Sequence, residues 1–316
     1  MLTLCLDIGG TKIAAGLADP SGVLVRTATC PTPPNAPAEQ VWDAVAAMIA
    51  DALRAADGLD APVGAVGIAA SGPIDLPSGT VSPINIAGWH RFPLRDRVAA
   101  LISGIPAIPG APGVPVVLGG DGVCMALGEH WLGAGRGARF MLGMVVSTGV
   151  GGGLVLDGAP YTGRTGNAGH VGHVVVEEDG QPCTCGGRGC VETVAAGPWL
   201  VRWARAHGWS APPEAGASQL AAAAAAGDAL ALRAFRRGAT GLAAMIASVG
   251  AVCDLDLVVV GGGVAKSGPV LFGPLRAALA NYARLDFLAG LRVVAAELGA
   301  DAGLVGAARL ATLGFG

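Results

Sequence analysis

The chain has 316 residues, enough for two domains with substantial cores. Its formal net charge is −3 and it carries no run of Lys or Arg, which excludes the electrostatic footprint of a nucleic-acid or anionic-membrane binder. Only Lys12 and Lys266 are lysines among 20 basic residues, and Ala and Gly abound, a coding bias that inflates the 52% hydrophobic share without functional meaning.

Residues 2–6 read as a short apolar strand that stops at Asp7; a glycine turn then leads to a second strand at 13–18 and a PSG turn at 20–22, a hairpin meander. Residues 38–56 space Val41, Trp42, Val45, Met48, Ile49 and Leu53 at helical intervals. Buried strands are expected at 63–68, entering the loop SGPID, and at 115–118, entering GGDG ahead of a helix at 123–130. At Phe140 the meander rhythm returns: a strand to Val146, a polar and glycine turn, a second strand, and a DG turn at Asp157 and Gly158. This is the pattern of an internal duplication. Further on come a strand at 174–176, an Ala-rich helical region at 218–248, a strand at 255–260 and a terminal helix after Asp301. Strands alternating with helices imply a largely parallel sheet covered on both faces, hence an α/β fold, expected as two lobes with a cleft.

The most apolar long segment, 241–253, is 13 residues and runs into Asp254, too short to cross a bilayer. The N-terminus has no basic region of the kind a secretory signal carries. Cys5, Cys30, Cys124 and Cys253 stand singly among apolar neighbours, as small buried thiols do, and a reduced, cytoplasmic setting is expected.

Asp7, Gly9, Gly10, Thr11 and Lys12 follow the first strand, where glycines let a backbone approach an anion closely and present its N–H groups. Ser147 to Gly153, with Thr148 and Gly149, offers the same chemistry from the second meander. Such turns can also merely join hairpin strands, but two at equivalent points of a duplicated unit argue for an anion. Neither has P-loop spacing, and a hairpin rather than a helix follows each, so neither is a dinucleotide fingerprint. A third turn, Gly261-Gly262-Gly263, follows a very apolar strand. Two loops on phosphates and a third against a base suit a nucleotide.

Asp121 stands in a glycine turn between a strand and a helix. It suits an N-cap, and equally the base that must take a proton from an alcohol as the alcohol attacks a phosphoryl group. Cys183, Cys185 and Cys190 contain no C-x-x-C redox pair; with one imidazole, from His170 or His173, they make a ligand set for a closed structural zinc.

The ordered set DIGGTK, TGVGGG and VVVGGGVA resembles the actin-like sugar kinase superfamily, and residues 169–192 resemble the signature of the ROK family (repressors, open reading frames and kinases). The cysteine half of that signature matches at Cys183, Cys185, Gly186, Gly189, Cys190 and Glu192. The resemblance runs from Asp7 to the helix at 302–311 and implies a duplicated, ribonuclease H-like fold. Its small lobe would be 1–118 plus about 303–316, and its large lobe 119–302 with the zinc loop. It implies that His173 is the fourth zinc ligand, that the zinc orders a loop lining a sugar site, and that Asp121 is the general base. Gly72, Asn85, Gly120, His170, His173 and Glu192 would then lie at the sugar, and Asp7, Gly9, Gly10, Thr11, Lys12, Thr148, Gly149, Gly262 and Gly263 at Mg-ATP. Trp89 could be a sugar platform, though loop packing is favoured.

The chain departs from the family pattern twice. His170 stands where the family has a Glu that accepts hydrogen bonds near the anomeric end, and Gly120 where it has an Asn before the base. A neutral imidazole accepts one such bond and a protonated one none. His170 either touches the same hydroxyl more weakly or meets a different group. The expected activity is therefore ATP-dependent phosphorylation of the primary hydroxyl of glucose or a glucose-like sugar. The alternative is a modified substrate, an amino sugar such as kanosamine or a C7-cyclitol. A sugar-sensing repressor of the same family would carry a helix-turn-helix before the first phosphate loop, whereas here the first strand begins at Leu2. Expected partners are the small-molecule substrate and a second copy in a homodimer, with no nucleic acid and no membrane.

Overall fold

The structure, a computed structural model, describes residues 1–103 and 113–314. It separates into two compact units: residues 1–136, 160–168 and 300–316, and residues 137–159 and 169–299. The lobes drawn from sequence divided at 118/119 and 302/303, so the structure groups Asp121 and its helix with the first unit.

The first unit holds a five-stranded sheet of β1 (Leu2–Ile8), β2 (Lys12–Ala18), β3 (Leu24–Pro31), β4 (Val63–Ala70) and β5 (Val116–Gly120) in the order β3-β2-β1-β4-β5. β1 pairs antiparallel with β2 and parallel with β4, and β4 pairs parallel with β5. The second unit repeats the plan with β6 (Phe140–Val146), β7 (Val150–Leu156), β8 (Ala159–Tyr161), β9 (Leu257–Gly261) and β10 (Arg292–Ala295), ordered β8-β7-β6-β9-β10. Strand for strand the two orders are the same, which is the duplication seen in the two meanders. The inner strands β1 and β9 are almost wholly buried and mostly apolar because both faces are covered, while the edge strand β3 (LVRTATCP) is mostly exposed and carries Arg and Thr. Each unit has its own apolar core, one around Leu4, Ile8, Val45, Ile49 and Ile68, the other around Leu142, Phe235, Ile246 and Val258.

The helix Ala38–Gly58 buries Val41, Val45, Met48 and Ile49 on the first sheet, as their spacing predicts. The helix Asp121–Leu132 is longer than the 123–130 expected and packs on the terminal helix Ala302–Leu313. Their backbones touch: a Cβ added to Gly306 would lie 1.6 Å from the Cys124 carbonyl oxygen, and one added to Gly128 would lie 2.3 Å from that of Ala302. This contact binds the Asp121 helix to the first unit. Residues 218–248 form two helices, Ala217–Ala225 and Ala229–Cys253, because Gly227 turns with φ +93° and the Asp228 carboxylate accepts from Ala231 N at 2.8 Å as an N-cap. The strand expected at 174–176 does not form. Val174 and Val176 hydrogen-bond the short cysteine loop at Val191 and Gly189, which leaves a single bridge, Val175 to Cys190. Among the described residues no helix is long and apolar enough to cross a membrane.

Candidate active site

In the first unit the turn after β1 is closed by Gly9 N donating to Lys12 O at 2.9 Å, and Thr32 Oγ1 donates to Gly9 O at 2.6 Å. Asn85 lies directly over this turn, so that a Cβ on Gly10 would fall 2.4 Å from Asn85 Cγ; only glycine leaves that amide in place. Asp7 ends in the same turn. Its carboxyl is pushed up to about 6, first by burial and then by the Asp121 carboxylate, with Lys12 acting the other way. Asp121 itself stays exposed at the start of its helix, where Ser71 Oγ donates to its Oδ2 at 3.1 Å and Gly122 N to its Oδ1 at 2.7 Å. The first unit thus gathers Asp7, Gly9, Gly10, Thr11, Lys12, Gly72, Asn85, Gly120 and Asp121. An acceptor carboxylate beside a second one, with a single lysine near, can take a proton from an alcohol or share a divalent cation.

Ser71 was missed from sequence. It stands next to Gly72 in the quoted loop SGPID, and the signal for it was a hydroxyl at the end of a buried strand parallel to the one entering Asp121. Trp89 is not a platform: it is buried, stacks on Phe92 at 4.3 Å between centroids and donates Nε1–H to Ala38 O at 3.1 Å.

The second unit holds Thr148, Gly149, His170, His173, Cys183, Cys185, Cys190, Glu192, Gly262 and Gly263. Glu192 opens a short helix and accepts from Val150 N at 2.9 Å, filling the space beside Gly149, where a Cβ would lie 2.7 Å from Glu192 Oε2. The glycine turn and the glutamate therefore specify one another. The exposed His170 ring is 6.5 Å from that of His173. His173 Nδ1 is 3.7 Å from Cys183 Sγ, and Cys185 Sγ is 3.7 Å from Cys190 Sγ. All four ligand atoms lie within 4.8 Å of one another. A tetrahedron with zinc–sulfur bonds of about 2.3 Å has edges of about 3.8 Å, so this set fits the ion. Cys190 is pushed up to about 12, by burial first and its thiol neighbours second, while the Gly187 N–H lowers Cys185.

Beside the second glycine turn lies a cavity of about 870 Å³. Thr148 and Gly263 line it, as the sequence predicts for a nucleotide site, while Gly149 and Gly262 stand next to them in their turns. The rest of the wall was not anticipated: Ala217, Ala221 and Ala222 on one helix, Gly197 and Pro198 at the start of another, and Lys266. An Ala-rich helix gives no local sign of lining a pocket.

The model of the ROK family matches residues 3–313. The chain belongs to the ROK family. It is 36% identical over 319 residues to the glucokinase of Thermotoga maritima, covering 96% of this chain and 95% of the relative. It is 34% identical over 305 residues to an N-acetylmannosamine kinase of Yersinia pseudotuberculosis, covering 96% of each. Among solved structures, a ROK family glucokinase from Streptomyces griseus in complex with glucose and AMPPNP superposes with a TM-score of 0.82 at 35% identity, covering 99% of this chain and 100% of that one. The duplicated sheets are thus the actin-like fold of ROK glucokinases.

Proposed function

We propose that this ROK protein is an ATP-dependent sugar kinase that phosphorylates the primary hydroxyl of glucose or a glucose-like sugar, with Asp121 as general base. The observation that carries this reading is the exposed Asp121 carboxylate at the end of β5, held by Ser71 Oγ and Gly122 N beside the Asp7 turn. Relatives at 33–36% identity that phosphorylate sugars support it. Ser71 and Gly122 N each hold one oxygen of the exposed Asp121 carboxylate, and Asn85, seated on Gly10, offers an amide to the ring hydroxyls. The family resemblance assigns His170, His173 and Glu192 to the sugar as well. Adenosine would lie along the alanine wall by Gly262 and Gly263, with phosphates at Thr148, Gly149 and the turn from Gly9 to Lys12. Asp7 would hold Mg²⁺, which neutralises charge on the phosphates. His173, Cys183, Cys185 and Cys190 would hold a structural zinc that fixes the loop ending in Glu192. A cytoplasmic homodimer is the expected form.

A second reading is favoured by Gly120. Its φ of −66° is ordinary, and an added Cβ would meet nothing closer than Gly166 O and Ile74 Cδ1 at 3.8 Å. Nothing in the fold requires glycine there, so its lack of a side chain leaves room beside the base for a substituent. An amino sugar or a cyclitol would use that room. An ADP-release assay across hexoses, amino sugars and cyclitols decides between the readings. Asp121→Asn should reduce turnover on the best substrate by about a hundredfold or more while sugar binding persists; turnover within about tenfold of wild type refutes the base.

A further inference from the structure

The second unit contains another cavity, of about 400 Å³, with no lining residue in common with the alanine-walled one. Arg233, Arg236 and Arg237 line it from one face of the helix Ala229–Cys253, at spacings of three and four residues, where like charges repel. Arg237 Nη2 donates to both oxygens of Glu177, at 2.9 and 2.8 Å. The Arg233 guanidinium sits 5.7 Å from the centroid of Trp203. The Arg236 guanidinium has no hydrogen-bond or ion-pair partner among the described residues. Glu177 is the one carboxylate in the lining, so two positive charges are unbalanced around a pocket that also presents the rings of Trp203 and Tyr282. Paired guanidinium forks match phosphate oxygens, and a flat aromatic face suits the apolar side of a sugar ring. The volume is within the range of small-molecule sites.

His207 stacks on Trp203 at 3.9 Å between centroids and Arg233 lies over the same ring, so the open aromatic ring of the lining is that of Tyr282. We propose that this cavity binds a phosphorylated sugar, with the phosphate on Arg233 and Arg236 and the ring against Tyr282. Occupancy would be felt at the cysteine loop. Glu177 N and Val176 N both donate to Gly189 O, at 3.3 and 2.9 Å, and a Cβ on Gly189 would lie 1.7 Å from Glu177 O, so the segment that grips Arg237 is packed backbone to backbone on that loop. A phosphate that draws Arg237 from Glu177 loosens this hold. That the ligand belongs to the class of the reaction's product rests on the proposed kinase function; the binding itself does not.

Isothermal titration of the full chain with glucose 6-phosphate, in the presence of saturating glucose and a non-hydrolysable ATP analogue, tests it. Saturable binding near one per chain is expected, weakened about tenfold or more in Arg236→Gln and in Arg233→Gln, as loss of a charge-assisted phosphate contact implies. Both variants should keep wild-type initial rates, since neither residue is assigned to the kinase site. Inorganic phosphate should bind at least about tenfold more weakly, because it lacks the ring that Tyr282 meets. Affinity unchanged in both variants, or inorganic phosphate binding as tightly as the sugar phosphate, overturns the proposal. So does a variant whose only effect is a changed oligomeric state, which would make this face a contact between copies. No turnover is needed for the titration, so an inactive kinase would refute the proposed function and leave this site standing.

Discussion

Replacing Asp7 by asparagine removes a carboxylate that the fold holds at a cost. The group titrates at about 6 in the folded chain against an ordinary aspartate value of 3.8, so the folded state binds its proton more tightly than the unfolded state does. Stability from this group is greatest at low pH and falls as pH rises between those two values. At 1.36 kcal/mol per pH unit, the penalty reaches about 3 kcal/mol at pH 8 and about half of that at pH 5. These are ceilings, because the carboxylate abuts the first turn of the helix Ala302–Leu313, where a Cβ on Gly303 would lie 2.5 Å from Asp7 Oδ2, and a helix N-terminus favours negative charge. Asp7→Asn keeps the shape and loses the charge. In the absence of nucleotide and Mg²⁺ the variant should therefore melt several degrees above wild type at pH 8, with a smaller gain at pH 5. Thermal melts at several pH values measure this, with kinase activity followed in parallel and expected to collapse. A variant that melts below wild type at pH 8, or whose gain does not depend on pH, would refute the cost of holding Asp7 charged, which burial imposes first and the Asp121 carboxylate second.

The purified protein should contain one zinc per chain by elemental analysis, and Cys185→Ser should release it and expose 183–192 to protease. Metal retained by that variant would show that the ligands are misassigned. His170→Glu should produce a crossover, gaining kcat/KM on glucose and losing it on the natural substrate; equal change on every sugar would mean that His170 does not read the substrate. Gly306→Ala should destabilise the first unit by about 1–3 kcal/mol in urea denaturation, since its methyl group would overlap the Cys124 carbonyl.

The plan of the fold was legible because duplication leaves marks at two scales: the meanders at Leu2 and Phe140 repeat in sequence, and their sheets repeat in order. The glycine turns and the clustering of His173 with Cys183, Cys185 and Cys190 were legible because close backbone approach and a shared ligand geometry restrict residue type. What escaped was set by long-range packing. Ser71 reaches Asp121 across 50 positions. The cavity beside the second glycine turn takes part of its wall from alanines that look like any helix surface. The grouping of the Asp121 helix with the first unit is decided by glycines at 128 and 306, whose partnership across the chain has no local signature.

The terminal helix Ala302–Leu313 covers β1 and β4 and seals the helix of Asp121. During synthesis the first sheet thus emerges long before the segment that completes its core. The second unit apart from its short strands and loops is closed by residue 299, and it can reach its own core while the earlier unit still exposes the apolar strand Leu2–Ile8. Against the usual order of domain folding, first-made first-folded, the half translated later is the first to have all of its chain, and the half holding Asp121 waits for the last helix.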